Sequence, residues 1–161
     1  MKSPKRFGAL IIPLSFIIAL MLAALPLPDW ALPWRPAWVA MVLAYWCLAV
    51  PDRVGVVTGW LVGLFLDVQS GALLGQYALG LACVAYVFGS YHQRVRNFPV
   101  AQQAVFVGLV TLLYLALMLA VDALAGIVVL PANLFAAVST ALLWPWIFII
   151  LRDARRKVRL S

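Results

Sequence analysis

Apolar residues along this chain come in long continuous runs, near 7–26, 37–50, 54–66, 72–91, 101–121 and 133–151, separated by short clusters of charge, proline and glycine. A polar backbone in hydrocarbon must bond to itself, so such runs are either helices or the strands of a closed β-barrel. Barrel strands alternate apolar and polar residues, whereas these runs are unbroken and rich in Leu, Ala and Val. The pattern predicts an all-α integral membrane protein, a single domain with six transmembrane helices in one bundle and a basic cytoplasmic tail over 152–161. The second and third runs are short. A helix needs about 20 residues to cross a core of roughly 30 Å, so these two must extend into their flanks, thin the bilayer or stop short of one surface. Pro51-Asp52-Arg53 between them reads as a tight polar turn joining antiparallel helices.

Composition strengthens that reading. The chain is 66% hydrophobic and 11% charged, against about a quarter charged in soluble domains. The stretch from Arg152 to Ser161 is the longest polar one, so any chemistry has to sit inside the bundle. Lys2 to Arg6 followed by an apolar run resembles a signal peptide, but Phe7 to Leu25 exceeds the usual length of about 7 to 15 and lacks a clear small-x-small site. It is expected to stay as the first span. Cys47 and Cys83 both fall within expected spans and read as small apolar residues.

Basic residues give the orientation, because cytoplasmic loops retain Lys and Arg. With the N-terminus inside, Lys2, Lys5, Arg6, Arg53, Arg94, Arg96, Arg152, Arg155, Arg156, Lys157 and Arg159 lie in the cytoplasm, leaving only Arg35 of the 12 basic residues outside. An even number of crossings must then separate the N-terminal cluster from Arg94 and Arg96, and four fit. Both termini are expected in the cytoplasm. The net charge of +7 is thereby explained by topology and implies no nucleic acid. The tail, with Arg152, Arg155, Arg156, Lys157 and Arg159, is suited to anionic lipids, worth about 1 kcal/mol per basic residue near the surface. Trp30, Trp34 and Trp38 bracket the first outer loop as an anchoring belt. Ala123 to Leu130 either prolongs the fifth span or lies flat at the outer interface.

The most specific local feature is Gly55, Gly59, Gly63, Asp67, Gly71 and Gly75, all spaced by four. Gly55, Gly59 and Gly63 fall near one helix face and let another backbone approach closely, as a packing surface within the bundle or as a partner interface. Asp67 is an ionisable group near the outer end of the third span, about 20 Å up a helix begun at Val54. Either it is functional, with Arg35 as counter-ion, or it is a loop carboxylate that helps turn the chain, with Ser70 capping the next helix. Arg35, Pro36 and Asp29 are further candidates at the outer end. Asp122 and Asp29 read as solvated carboxylates, and His92 as a headgroup contact. A single histidine and no glutamate leave no metal site, no cofactor site and no partner for a serine nucleophile. No catalytic residue emerges. Pro145 within Trp144-Pro145-Trp146 should kink the last helix, with both indoles filling the space opened by the bend.

Ordered along the chain, Pro28-Asp29-Trp30, Arg35-Pro36-Ala37-Trp38, Leu43-Ala44-Tyr45-Trp46 running to Pro51, Thr58-Gly59 through Gly63, Leu66-Asp67, Ser70-Gly71, Leu74-Gly75, Gln102-Gln103-Ala104 and Leu143-Trp144-Pro145-Trp146-Ile147-Phe148 resemble the MreD family of rod shape-determining proteins, and most of all its proteobacterial branch. The resemblance implies a small, non-enzymatic inner-membrane scaffold of the machinery that builds the lateral cell wall. It implies binding to MreC, a bitopic partner, and work alongside MreB, RodA and the elongation penicillin-binding protein. It further implies a fold similar to the substrate-binding subunit of energy-coupling-factor transporters, which leaves a small-molecule transport subunit as the alternative function. A vitamin site needs several convergent polar side chains, and few are available here.

Overall fold

The computed structural model describes residues 4–26, 28, 30, 34–51, 53–71, 74–126 and 135–160, with side chains from Leu10 to Arg156 apart from that of Ser70. Among these residues the chain is all-helical, with six helices: α1 (Pro4–Ala24), α2 (Trp38–Ala49), α3 (Val56–Ser70), α4 (Gln76–Arg96), α5 (Val100–Leu124) and α6 (Phe135–Leu160). Two of them, α5 and the Phe135–Arg156 part of α6, are long and apolar enough to cross a membrane. Each apolar run carries one helix, but the ends move. Helix α4 starts at Gln76 rather than near 72 and continues past 91 to Arg96, with a break in helical geometry at Tyr91 (φ −109°, ψ 15°). The basic stretch after Leu151 is helical and continues α6 to Leu160. Ala123 and Leu124 prolong α5, after which the chain turns at Gly126 (φ 78°) and leaves the described residues.

The helices α1, α6, α5, α4 and α3 touch one another in that cyclic order, closing on α1, and α2 packs in the middle against α1, α4, α5 and α6. Every residue from Val39 to Leu48 is buried. This follows from a segment with no polar face, since such a helix must be covered on all sides. At 12 residues α2 is about 18 Å long, too short to cross a bilayer in contact with lipid, but it is surrounded by protein instead.

Enclosure leaves the backbone groups at the ends of α2 to be satisfied by other helices. At its start, the Ala37 N–H donates to Thr140 Oγ1 of α6 at 3.0 Å. At its end, the Leu48 carbonyl accepts from the Arg96 guanidinium of α4, with Nε at 3.1 Å. A cation there also meets the negative end of the helix dipole. Side-chain bonds fasten the flanks as well: the Trp46 indole donates to Ser15 Oγ of α1 at 2.8 Å, and the Trp144 indole of α6 to Gln103 Oε1 of α5 at 3.4 Å. Of the two indoles flanking Pro145, only Trp144 fills the interior; Trp146 is 69% exposed. The expectation for the pair fails because residues two apart on a helix point to opposite sides.

The outward faces are apolar. Ile17 of α1, Val57 and Phe65 of α3, Leu109 of α5 and Leu142 and Ile150 of α6 are all exposed, and contiguous apolar surface of this kind is foreign to a monomer in water.

Replacing Thr140 by Val is expected to strand the Ala37 N–H and lower stability by about 1–3 kcal/mol, read as a fall in the thermal unfolding midpoint in detergent. Thr111 donates only to the Val107 carbonyl of its own helix, at 2.8 Å, so Thr111→Val serves as the control and should shift the midpoint far less. Equal shifts from the two would remove the capping role assigned to Thr140.

Candidate functional site

The segment singled out by its glycine spacing is the α3–α4 hairpin. Gly59 and Gly63 bring α3 against the backbone of α4: a Cβ added at Gly59 would lie 2.7 Å from the Leu81 carbonyl oxygen, and one at Gly63 would lie 2.6 Å from the Ala78 nitrogen. The close approach is thus spent inside the protein, as helix packing within the chain. The other glycines of the series have different work. Gly55 precedes α3 in an extended conformation, and an added Cβ there meets nothing within 4 Å. Gly71 (φ 68°) and Gly75 (φ 97°) adopt the left-handed backbone that glycine favours and shape the turn between the helices. The spacing of four therefore joins two packing glycines to two turn glycines, and of the three expected on one face Gly55 makes no close approach.

Asp67 lies at the meeting point of these two groups and is 1% exposed. Its backbone carbonyl accepts from the Gly71 N–H, closing α3. Its carboxylate opens α4: Oδ2 accepts from the N–H of Gly75 at 2.8 Å and of Ala78 at 3.4 Å, and Oδ1 from the N–H of Tyr77 at 2.7 Å. Gly75 has no side chain with which to cap its own helix, and Asp67 supplies the acceptor from the preceding one. A buried anion without a cation is costly, but the first N–H groups of a helix together carry about half a positive charge. The counter-charge of Asp67 is therefore the α4 terminus. Arg35, the counter-ion expected from the sequence, points elsewhere, and its guanidinium donates to the Leu25 carbonyl just past the end of α1. Capping of α4 belongs to Asp67 among the described side chains, and that of Ser70 lies outside them.

A second bridge sits beside the first. Gln76, the first residue of α4, donates through Nε2 to the Met118 carbonyl at 3.0 Å and to Asp122 Oδ1 at 2.8 Å. Asp122 is accordingly an interhelical acceptor rather than a freely solvated carboxylate. Gln69 of α3 donates to the Leu20 carbonyl of α1 at 2.9 Å. Near the opposite end of α4, Gln103 donates to the Val95 carbonyl at 3.0 Å. His92 Nδ1 lies 2.6 Å from the Gly89 carbonyl of its own turn.

The sequence reading missed Gln76, Arg96, Gln103 and Thr140 as structural contacts. A signal was present for the amides, because a glutamine inside an apolar run has to find a partner. Of the other sequence candidates, Pro36 accepts from the Trp38 N–H at 3.0 Å, Trp30 and Trp34 are exposed, and Trp38 is half-buried. Trp34 stacks on Phe135 with ring centroids 5.0 Å apart. Asp29, Asp52 and the side chains of Lys157 and Arg159 lie outside the described residues. Arg152, Arg155 and Arg156 follow one another down the last turns of α6, where Arg152 Nε comes within 3.8 Å of Asp153. Among the described residues no cluster of His, Cys, Asp and Glu is arranged to hold a metal. The six buried polar residues there, Ser15, Asp67, Gln76, Gln103, Thr111 and Thr140, each bond within the chain. What the arrangement does chemically is join helices.

Asp67→Ala is expected to uncap α4 and cost about 2 kcal/mol, whereas Asp67→Asn, which keeps one carbonyl oxygen, should cost less; thermal unfolding in detergent separates them. Gly63→Ala should lower the midpoint through overpacking by about 1–3 kcal/mol, while Gly55→Ala and Gly89→Ala, where an added Cβ meets nothing within 4 Å, leave it nearly unchanged. A tolerated Gly63→Ala would contradict the close approach.

The family model for the rod shape-determining protein MreD matches residues 4–154. The rod shape-determining protein MreD of Haemophilus influenzae is 34% identical to the chain over 146 residues, covering 90% of each. No solved structure matches. Matched over nearly its whole length, and with its glycine hairpin, Asp67 and Trp144-Pro145-Trp146 inside the matched region, the chain belongs to the MreD family of rod shape-determining proteins.

Proposed function

We propose that this member of the family is a non-enzymatic scaffold of the bacterial inner membrane that binds MreC and helps to position lateral peptidoglycan synthesis. In this reading it crosses the bilayer six times with both termini in the cytoplasm, and MreB, RodA and the elongation penicillin-binding protein belong to the same assembly. The observation that carries the proposal is the division of labour between interior and surface. Buried polar side chains, Thr111 apart, are committed to neighbouring helices, and the largest buried residues, Trp46, Trp144, Phe88 and Met41, fill the centre. That interior suits a rigid body better than a substrate chamber, while the apolar outer faces remain free for lipid or for the helix of a partner.

The topology is supported by which helix ends meet. Arg35 reaches the end of α1, Asp67 the start of α4, Gln76 the end of α5 and Thr140 the start of α2, all at the side assigned outside. Arg96 meets the end of α2 at the side assigned inside. Trp30, Trp34 and Trp38 then fall at the outer interface and Arg152, Arg155 and Arg156 at the inner one, where anionic lipid is met.

The test is recovery of MreC with the full-length protein from native membranes in mild detergent, combined with depletion in a rod-shaped host. Recovery of MreC and rounding of depleted cells are expected, and substitution of Gly59 or Gly63 by Leu should weaken folding or that association. Cells that stay rod-shaped on depletion, with no MreC recovered, would end the proposal.

A further inference from the structure

The hairpin of α2 and α3 is shorter than the helices beside it. Asp67 sets the far ends of α3 and α4 level, and Gly59 faces Leu81 and Ala85, so α3 begins at Val56 about 15 Å short of the last turn of α4. Beyond that level Ser90, Tyr91 and Arg94 of α4 are exposed. An open apolar groove of about 480 Å³ runs between the start of α3 and the middle of α5, with α4 as its floor; Val56, Ala82, Cys83, Tyr86, Leu113 and Leu117 line it. From Tyr86 in the groove, Ser90 and Arg94 follow at i+4 and i+8 down α4, and all three are exposed. From Val87 to Pro99 the chain carries His92, Arg94 and Arg96 and no carboxylate. Arg96 is engaged with Leu48, whereas Arg94 is exposed, as is Arg53 in the turn that leads into α3.

We propose that this groove is a binding site for one anionic phospholipid of the cytoplasmic leaflet, its acyl chain lying along Ala82, Cys83 and Tyr86 and its phosphate meeting Arg94 and Arg53. The inference rests on the cytoplasmic placement of the α4 terminus given above. Three observations choose the occupant. The groove's volume of about 480 Å³ falls in the range of small-molecule sites, roughly 300–1,000 Å³. From Ala82 to Arg94 is about 18 Å of helix, close to the roughly 15 Å of hydrocarbon in one leaflet. Toward the cytoplasmic end the groove's face continues to the exposed Arg94, with no carboxylate from Val87 to Pro99, and Arg53, beside Asp52, lies three residues before Val56, so an anionic headgroup is attracted there more strongly than a zwitterionic one.

Native mass spectrometry of the full chain, released from detergent after exposure to an equimolar mixture of phosphatidylglycerol and phosphatidylethanolamine, tests the site. One retained phosphatidylglycerol is expected, with retention falling about five-fold for Arg94→Ala and again for Arg53→Ala. Ala82→Trp, which fills the groove, should release both lipids. Arg155→Ala with Arg156→Ala, which weakens the helical tail alone, should leave retention unchanged. The variants are compared only where elution stays monodisperse, which both exposed arginines allow. Equal retention of the two lipids, retention insensitive to Arg94, loss on the tail substitutions alone, displacement by inorganic phosphate, or a protein crosslinked to Cys83 in place of lipid would each overturn the site. Arg94→Cys in a background without Cys47 and Cys83 separates this from the topology: modification by an impermeant maleimide from outside the cell refutes the placement itself.

Discussion

A helix end leaves up to four backbone groups without partners, and in apolar surroundings water is not there to take them. That requirement explains the placing of four polar side chains in this protein. Arg35 answers the end of α1, Thr140 and Arg96 the two ends of α2, and Asp67 the start of α4. In each case donor and acceptor lie on different helices or across a turn, so satisfying the backbone also fixes how the helices sit against one another. Where the side chain is charged its sign matches the dipole, cations at carbonyl ends and an anion at an N–H end.

The consequence for packing is that α2 can be central. A short helix with apolar residues on every side can be enclosed only if its ends are served from outside itself, and here α4 and α6 do so. The hairpin of α3 and α4 is drawn together by Gly59 and Gly63 and locked at its turn by Asp67, which acts on both helices at once. With the interior closed in this way, the faces left for other molecules are outward ones. That fits a family whose members shape cells.

The apolar runs in the sequence were enough to locate all six helices, because continuous hydrophobicity is a strong signal over many residues. Their ends were less legible. The start of α4 at Gln76 depends on a carboxylate nine positions earlier, and the helical tail on the absence of a stop signal after Leu151. Asp67 was recognised as unusual, yet the partner sought for it was another charged side chain, and backbone N–H groups do not appear in a search by residue type. The glycine repeat was visible, but identical letters conceal different backbones, and Gly71 and Gly75 part from Gly59 and Gly63 only through their φ angles. Burial of α2 was hidden for a simpler reason: lipid and protein interior select the same residues, and only the length of 12 distinguished them.

The enclosure of α2 sets the order of synthesis against the order of assembly. This helix leaves the ribosome second, but the hydroxyl that satisfies its first N–H comes from Thr140, on the last helix to be made, and the guanidinium at its other end comes from the fourth. Until α6 arrives, the centre of the protein has an open side and an unanswered backbone group. Assembly therefore finishes from the C-terminal end, and a nascent chain that lacks α6 has its helices but not yet its core.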